Sequence, residues 1–220
     1  MKKIILLLTI PYILFSDSST QIYHISDAIK REMIQGGSWR KGCPVPISDL
    51  RYLKIPHYDF RWKRVIGEMV VHRDVAKDVA DIFDKLYKNR YPIRKMKLVS
   101  HYGASDYRSI EADNTSAFNC RPVTGGKKWS NHSYGRAIDI NPIENPYISR
   151  SGHISHSKSL KYRDRRVSNS NSAENRATIR GGDYIVKLFK QRGWRWGGEW
   201  HGIKDYQHFD KPTKRRALAH

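Results

Sequence analysis

The run Ser130-Asn131-His132-Ser133-Tyr134-Gly135-Arg136-Ala137-Ile138-Asp139, answered far downstream by Asp205-Tyr206-Gln207-His208-Phe209, constrains this chain more than any other feature. It supplies two imidazoles and two carboxylates at spacings that suit one hydrolytic zinc centre. Zinc takes His nitrogen and carboxylate oxygen, and a catalytic site keeps one position open for water. Three ligands plus a separate carboxylate to handle protons form the minimum set for splitting an amide at neutral pH. His132, Asp139 and His208 are therefore read as ligands, and Asp205 as the proton carrier.

Local pattern supports that reading. Ala137-Ile138-Asp139-Ile140 alternates, so a short strand would put Ala137 and Asp139 on one face and turn Ile138 and Ile140 into the core. Gly135 permits the sharp turn that folds His132 back toward Asp139. Asp205 and His208, three apart, share one side of a helical turn or tight loop; alternatively His208-Phe209 begins a strand. Trp194, Trp196 and Trp200, interspersed with Gly193, Gly197 and Gly198, predict a tight apolar wall beside the site. A lone His is more often a surface or core residue than a ligand, and this chain has ten. The glycine, the alternating run and the distal Asp-x-x-His set this group apart. His153 and His156 are read as solvated loop histidines, and Glu199 and His201 as surface or loop-packing residues.

At these positions the chain resembles the M15 metallopeptidases, the zinc D,D-peptidases of bacterial cell walls. Their signature, S-x-H-x-x-G-x-A-x-D followed by an acidic residue three before a His, is matched by Ser130, His132, Gly135, Ala137, Asp139, Asp205 and His208. The likeness extends from about Gly42 through Asp210, including the stretch Asp113 to Arg121 and Trp196-Gly197-Gly198. The resemblance implies that His132, Asp139 and His208 carry one Zn2+ and that Asp205 is the general acid/base. It also implies an arginine near the metal for the substrate carboxylate or oxyanion, since a guanidinium can donate two parallel hydrogen bonds. Arg121 is the first choice and Arg108, in Asp106-Tyr107-Arg108-Ser109, the second. Many relatives have Glu where this chain has Asp205, and the shorter acid leans toward the endopeptidase type. Glu199 sits at the wrong offset from His208 to replace it.

The implied fold is α+β, a small antiparallel sheet backed by helices, as in M15 enzymes and the hedgehog signalling domain. The implied substrate is a peptidoglycan stem peptide, cut at D-Ala-D-Ala or at L-Ala-D-Glu. The alternative is a non-catalytic zinc-containing module of the same fold that binds wall peptide without cutting it.

A formal charge of +20 would suit any polyanion. The basic residues are dispersed and no nucleic-acid-binding motif occurs, so anionic wall polymers or membrane surfaces are the expected partners, and nucleic acid is not. Lys2-Lys3, the apolar run Ile4 to Phe15 and the small residues Ser16-Asp17-Ser18 read as a signal peptide, 1–18, too short to span a bilayer. The expected destination is the periplasm or cell exterior. In an exported chain Cys43 and Cys120 are expected to form one disulfide.

The remaining boundaries are an N-terminal extension at 19–41, a zinc peptidase domain at 42–210 and a basic tail at 211–220. Ser26 to Met33 predicts a short helix. Trp62 to His72 predicts a strand, followed by a helix capped by Asp74 and running to about Asn89. Lys97 to His101 and Ala117 to Arg121 predict strands, with loop from Tyr102 to Ser116. Residues 147–182, rich in Ser, Asn, Arg and His, predict a long exposed insertion. Asp183 is expected to cap a helix with Ile185, Val186, Leu188 and Phe189 facing inward.

Overall fold

The computed structural model describes residues 19–123, 126–166 and 170–212. The expected signal peptide and most of the basic tail lie outside these residues. The described residues form an α+β fold in which two three-stranded antiparallel sheets share one core. The first sheet has the order β1-β2-β3, from Gln21–His24, Leu50–Tyr58 and Arg64–His72. Helix α1 (Asp27–Gln35) follows β1, and α2 (Arg73–Lys88) follows β3 directly. Residues 19–41, expected as an extension, are therefore part of this layer: β1 pairs with β2 from Gln21↔Lys54 to His24↔Arg51, and Met33 is buried.

Both faces of the first sheet are covered, and strand alternation assigns each residue to its side. Leu53, Ile55, Met69 and Val71 turn toward Val75, Val79, Ile82, Phe83 and Leu86 of α2. Tyr52 and Val70 turn the other way, into a second cluster with Met33, Leu98, Phe118 and Cys120. The Cys43–Cys120 disulfide lies in that second cluster and closes a 77-residue separation, a loop length worth about 4 kcal/mol by chain entropy.

After α2 come β4 (Lys95–Met96), α3 (Asp106–Glu111) and β5 (Asn114–Thr115), with β4 and β5 paired in parallel. The second three-stranded sheet has the order β6-β10-β8 and is built from Ala137–Asp139, His208–Asp210 and Arg195–Trp196. Between them lie β7 (Tyr147–Ile148), α4 (Ala173–Ala177), α5 (Tyr184–Lys190) and β9 (Lys204–Asp205), with β7 and β9 pairing antiparallel. Phe189 of α5 stacks on Phe209 of β10 at 4.1 Å and joins this sheet to the main core. No helix among the described residues is long and apolar enough to cross a membrane.

Helix α2 is capped by the His72 side chain, which accepts from the Asp74 N–H; Asp74 lies in the first turn. Lys97 to His101 is not a strand. Its chain leaves β4 and closes into a 3-10 turn over Val99–Tyr102, ended by Gly103 in the left-handed region. Tyr102 to Ser116 is not all loop, because Ser105 caps α3 by accepting from the Arg108 N–H. Ala117 to Arg121 forms no regular ladder, since its N–H groups go to separate segments: Phe118 to Val70 O, Asn119 to His132 O and Cys120 to Ser38 O.

The described residues of 147–182 are not all exposed, because several of them anchor the stretch to the fold. Ile154, His156, Ser159, Ala173, Ala177 and Ile179 are buried. In place of a large apolar core, the Arg165 guanidinium donates to the carbonyls of Glu144, Tyr162 and Ile179 and to the Asn145 side chain. Backbone acceptors satisfied this way let a polar sequence order. Asp183 stands at the N-terminus of α5, but its side chain makes no capping hydrogen bond to the helix and accepts instead from the Arg180 N–H; Ile185, Val186, Leu188 and Phe189 are buried as expected.

One buried polar cluster carries a pH prediction. Arg94 faces Asp113 at 2.6 Å, Glu144 at 3.2 Å and Glu174 at 3.5 Å, so one guanidinium serves three carboxylates. Burial, with the Asp113 charge adding to it, pushes the Glu144 carboxyl up to about 8. A folded-state pKa raised above the unfolded value gives stability that is complete below the unfolded pKa and lost as pH rises through the folded one. Urea unfolding is expected to show stability falling between pH 5 and 9 by a few kcal/mol. Glu144→Gln should flatten that fall; an unchanged slope in the variant would assign it to other groups.

Candidate metal centre

The antiparallel pairing of β10 with β6 sets the site. Its register places His208 opposite Asp139, Phe209 opposite Ile138 and Asp210 opposite Ala137. Alternation sends Ile138 and Phe209 into the core and leaves Asp139 and His208 together on the other face. Of the two geometries open for Asp205 and His208, the strand is the one observed: His208 begins β10 and Asp205 ends β9.

His132 arrives from a separate element, the 3-10 turn Asn131–Tyr134. Gly135 ends that turn at φ +63°, and a Cβ there would lie 2.5 Å from the His72 nitrogen, so only glycine fits. The His132 Nδ1 bonds the Ala117 carbonyl at 2.6 Å, which leaves Nε2 facing the other two groups. Nε2 lies 3.2 Å from Asp139 Oδ2 and 3.3 Å from His208 Nδ1; His208 Nδ1 lies 2.9 Å from Asp139 Oδ1. One donor atom from each of His132, Asp139 and His208 falls within 4.8 Å of the others, an arrangement that could hold a metal ion. Two imidazoles and one carboxylate are a donor set that suits zinc, and the carbonyl behind Nδ1 fixes the His132 tautomer as metal-site histidines require.

The electrostatics are those of a crowded buried site. Burial opposes charge on Asp139, yet the His132 and His208 imidazoles override it and hold its carboxyl well below the usual range. Burial also opposes charge on His208, but its hydrogen bond to Asp139 and the charges of Asp139 and Asp205 raise it to about 9. Asp205 behaves oppositely. Burial, with Asp139 adding to it against His208 and His132, pushes its carboxyl up to about 6. Its Oδ1 is buried without a hydrogen-bond partner among the described residues. Pairing of β9 with β7 puts Asp205 opposite Tyr147, and Gly197 makes room, since a Cβ there would meet the Asp205 carbonyl at 2.5 Å.

All four residues line one cavity of about 800 Å3. Trp200 covers one side, its ring 5.3 Å from His208, whereas Trp194 and Trp196 are buried in the core behind. Arg121 also lines the cavity, with its guanidinium paired to Asp106. Arg108 is exposed, donates to the Tyr102 carbonyl and takes no part in the lining. Glu199 pairs with Lys190 at 2.8 Å on the surface, and His153 and His201 are exposed. His156 corrects the sequence reading: it is buried, bonded to Glu111 at 2.9 Å, and lines the cavity.

Sequence reasoning missed Asp210, Arg195 and Asn131. Asp210 is buried and accepts from Asn131 Nδ2 at 2.5 Å and from Arg195 Nη2 at 2.6 Å and Nε at 3.0 Å. Asn131 precedes His132, so this carboxylate ties the turn that carries His132 to the sheet that carries the other two. A period-2 reading of His208-Phe209-Asp210 would have placed Asp210 on the site face; its pairing with Arg195 depends on register and was not legible. Asp210→Asn is expected to weaken zinc binding roughly tenfold in a chelator competition while the fold persists, the size of effect known for groups that orient ligands. Unchanged affinity would show that the tie does not position His132.

Comparison with curated proteins and with solved structures gave no match. Residues 124–211, which hold every residue of the triad as well as Asp205 and Asp210, match the family model described as D-alanyl-D-alanine carboxypeptidase, and the match supports an M15 family peptidase.

Proposed function

We propose that this chain is an exported, zinc-dependent peptidoglycan peptidase that hydrolyses an amide bond of the stem peptide. The bond is D-Ala-D-Ala or L-Ala-D-Glu. The observation that carries this reading is a His132–Asp139–His208 triad, its two histidines buried, sharing one cavity with a carboxylate that is not part of it. His132 Nε2, Asp139 and His208 Nδ1 are the ligands. Zinc, when bound, supplies the Lewis acidity that makes a water nucleophilic near neutral pH.

The other side chains have separate tasks. Asp205, with an unpartnered oxygen and a carboxyl pushed up to about 6, takes the proton from the attacking water and returns it to the departing amine. Arg121, on the cavity wall, meets the substrate carboxylate or the developing oxyanion once it exchanges Asp106 for that anion. Trp200 shields the His208 side of the site from bulk water. The family match supports wall peptide as substrate, the disulfide supports an oxidising compartment, and the +20 charge supports attraction to anionic wall polymers.

The non-catalytic wall-binding module is the weaker reading, because an inert zinc site has no use for a carboxylate beside it with one oxygen buried and unpartnered among the described residues. Digestion of purified muropeptides, followed by mass spectrometry with and without a chelator, tests the function and identifies the bond. Asp205→Ala is expected to lower turnover by at least about a hundredfold with zinc content unchanged. His208→Ala is expected to lower zinc content itself. Loss of metal in Asp205→Ala would make Asp205 a ligand or structural residue, and zinc-loaded wild type that leaves every muropeptide intact would contradict the peptidase assignment.

A further inference from the structure

The wall contributed by α3 and residues 154–159 carries polar groups that neither the metal centre nor its proton carrier uses. His156 precedes the 3-10 turn Ser157–Tyr162, and Ser159 lies in its first turn, held by its own N–H to the His156 carbonyl at 2.9 Å. His156 and Ser159 both line the cavity, and both are buried. The Ser159 hydroxyl has no hydrogen-bond partner among the described residues, which is costly for a buried oxygen unless a ligand satisfies it.

The His156 ring is fixed from two sides. Its Nδ1 lies 2.9 Å from Glu111 Oε2, and its face lies against Tyr107 with centroids 4.4 Å apart. Lys158, at the same carboxylate, and His156 hold the Glu111 carboxyl below its usual range, so it stays ionised and can only accept. Nδ1 must then carry the hydrogen, and in the neutral ring Nε2 is left as an acceptor with a lone pair to fill.

We propose that His156 Nε2 and Ser159 Oγ form a substrate subsite that binds a hydrogen-bond-donating nitrogen of the peptide, with Tyr107 and Glu111 locking the imidazole. The proposal rests on the peptidase reading for the identity of its ligand and extends it to a part of the substrate away from the reacting bond. The nitrogen is a side-chain amine or a backbone amide of the stem peptide; both present the same N–H. No bond is made or broken at the subsite, and its contribution is to affinity and to choice among peptides.

Binding is read by calorimetry on the zinc-loaded full chain in an Asp205→Ala background, called wild type where the subsite is unaltered, so the result does not depend on turnover. The probes are an L-Ala-D-Glu-L-Lys-D-Ala-D-Ala pentapeptide, its norleucine analogue lacking the amine, and ester analogues lacking one backbone N–H each. Wild type is expected to bind at least one analogue about tenfold more weakly, the size of one lost hydrogen bond in a buried site. The norleucine or the ester identifies which nitrogen is held. Ser159→Ala, a nearly isosteric change, and His156→Phe, which keeps a ring against Tyr107, should bind every peptide at the weaker level. Equal binding of all peptides by wild type, absence of binding, or a Ser159→Ala protein that discriminates as wild type does, overturns the subsite. If discrimination persists while the zinc-loaded protein with Asp205 intact cleaves nothing, the peptidase reading fails and the subsite stands.

Discussion

Backbone pairing between β6 and β10 places the candidate site. Asp139 and His208 are far apart in sequence, and only antiparallel register brings them face to face. A slip of one residue would exchange the two faces, sending His208 into the core and Phe209 into the cavity. The register is held by what lies behind it: Ile138 and Phe209 are fully buried, and Phe209 stacks on Phe189 of α5. The apolar core thus selects the arrangement of the polar site, although no core residue touches it chemically.

His132 is the exception, since it comes from outside the sheet. Its position is built from several polar contacts: its Nδ1 on Ala117 O, Ser133 on Asn119 O and Arg121 O, and Asn131 on Asp210. These contacts lie in or beside the second cluster, where the Cys43–Cys120 disulfide fixes the chain just before Arg121. One wall of the site therefore rests on hydrophobic register, and the other on hydrogen bonds braced by a covalent link. The contrast bears on the proposed function, because a metal centre with one open position would need ligands held in place by the fold.

Much of the site was legible in the sequence, because its residues fall into short patterns with a local cause. Gly135 foretold the turn, Ala137-Ile138-Asp139-Ile140 foretold the alternation, and the His and Asp spacing carried the donor set. The α5 face was legible for the same reason, a clean helical period over Ile185, Val186, Leu188 and Phe189. What escaped was non-local. Strand β2 went unseen because both its faces are buried and Pro56 interrupts it, so no polar side marks its period. The described part of 147–182 read as wholly solvated because arginine and asparagine side chains, along with only a few apolar ones, anchor it, and composition does not reveal which carbonyls Arg165 will meet. His156 was misread for that reason.

That His132, Asp139 and His208 bind one ion can be checked in a crystal structure of the zinc-loaded protein, with anomalous differences measured at the zinc edge. One peak is expected at about 2.0–2.2 Å from His132 Nε2, His208 Nδ1 and an Asp139 oxygen. An empty triad, or a peak held instead by surface histidines such as His153 or His201, would contradict it.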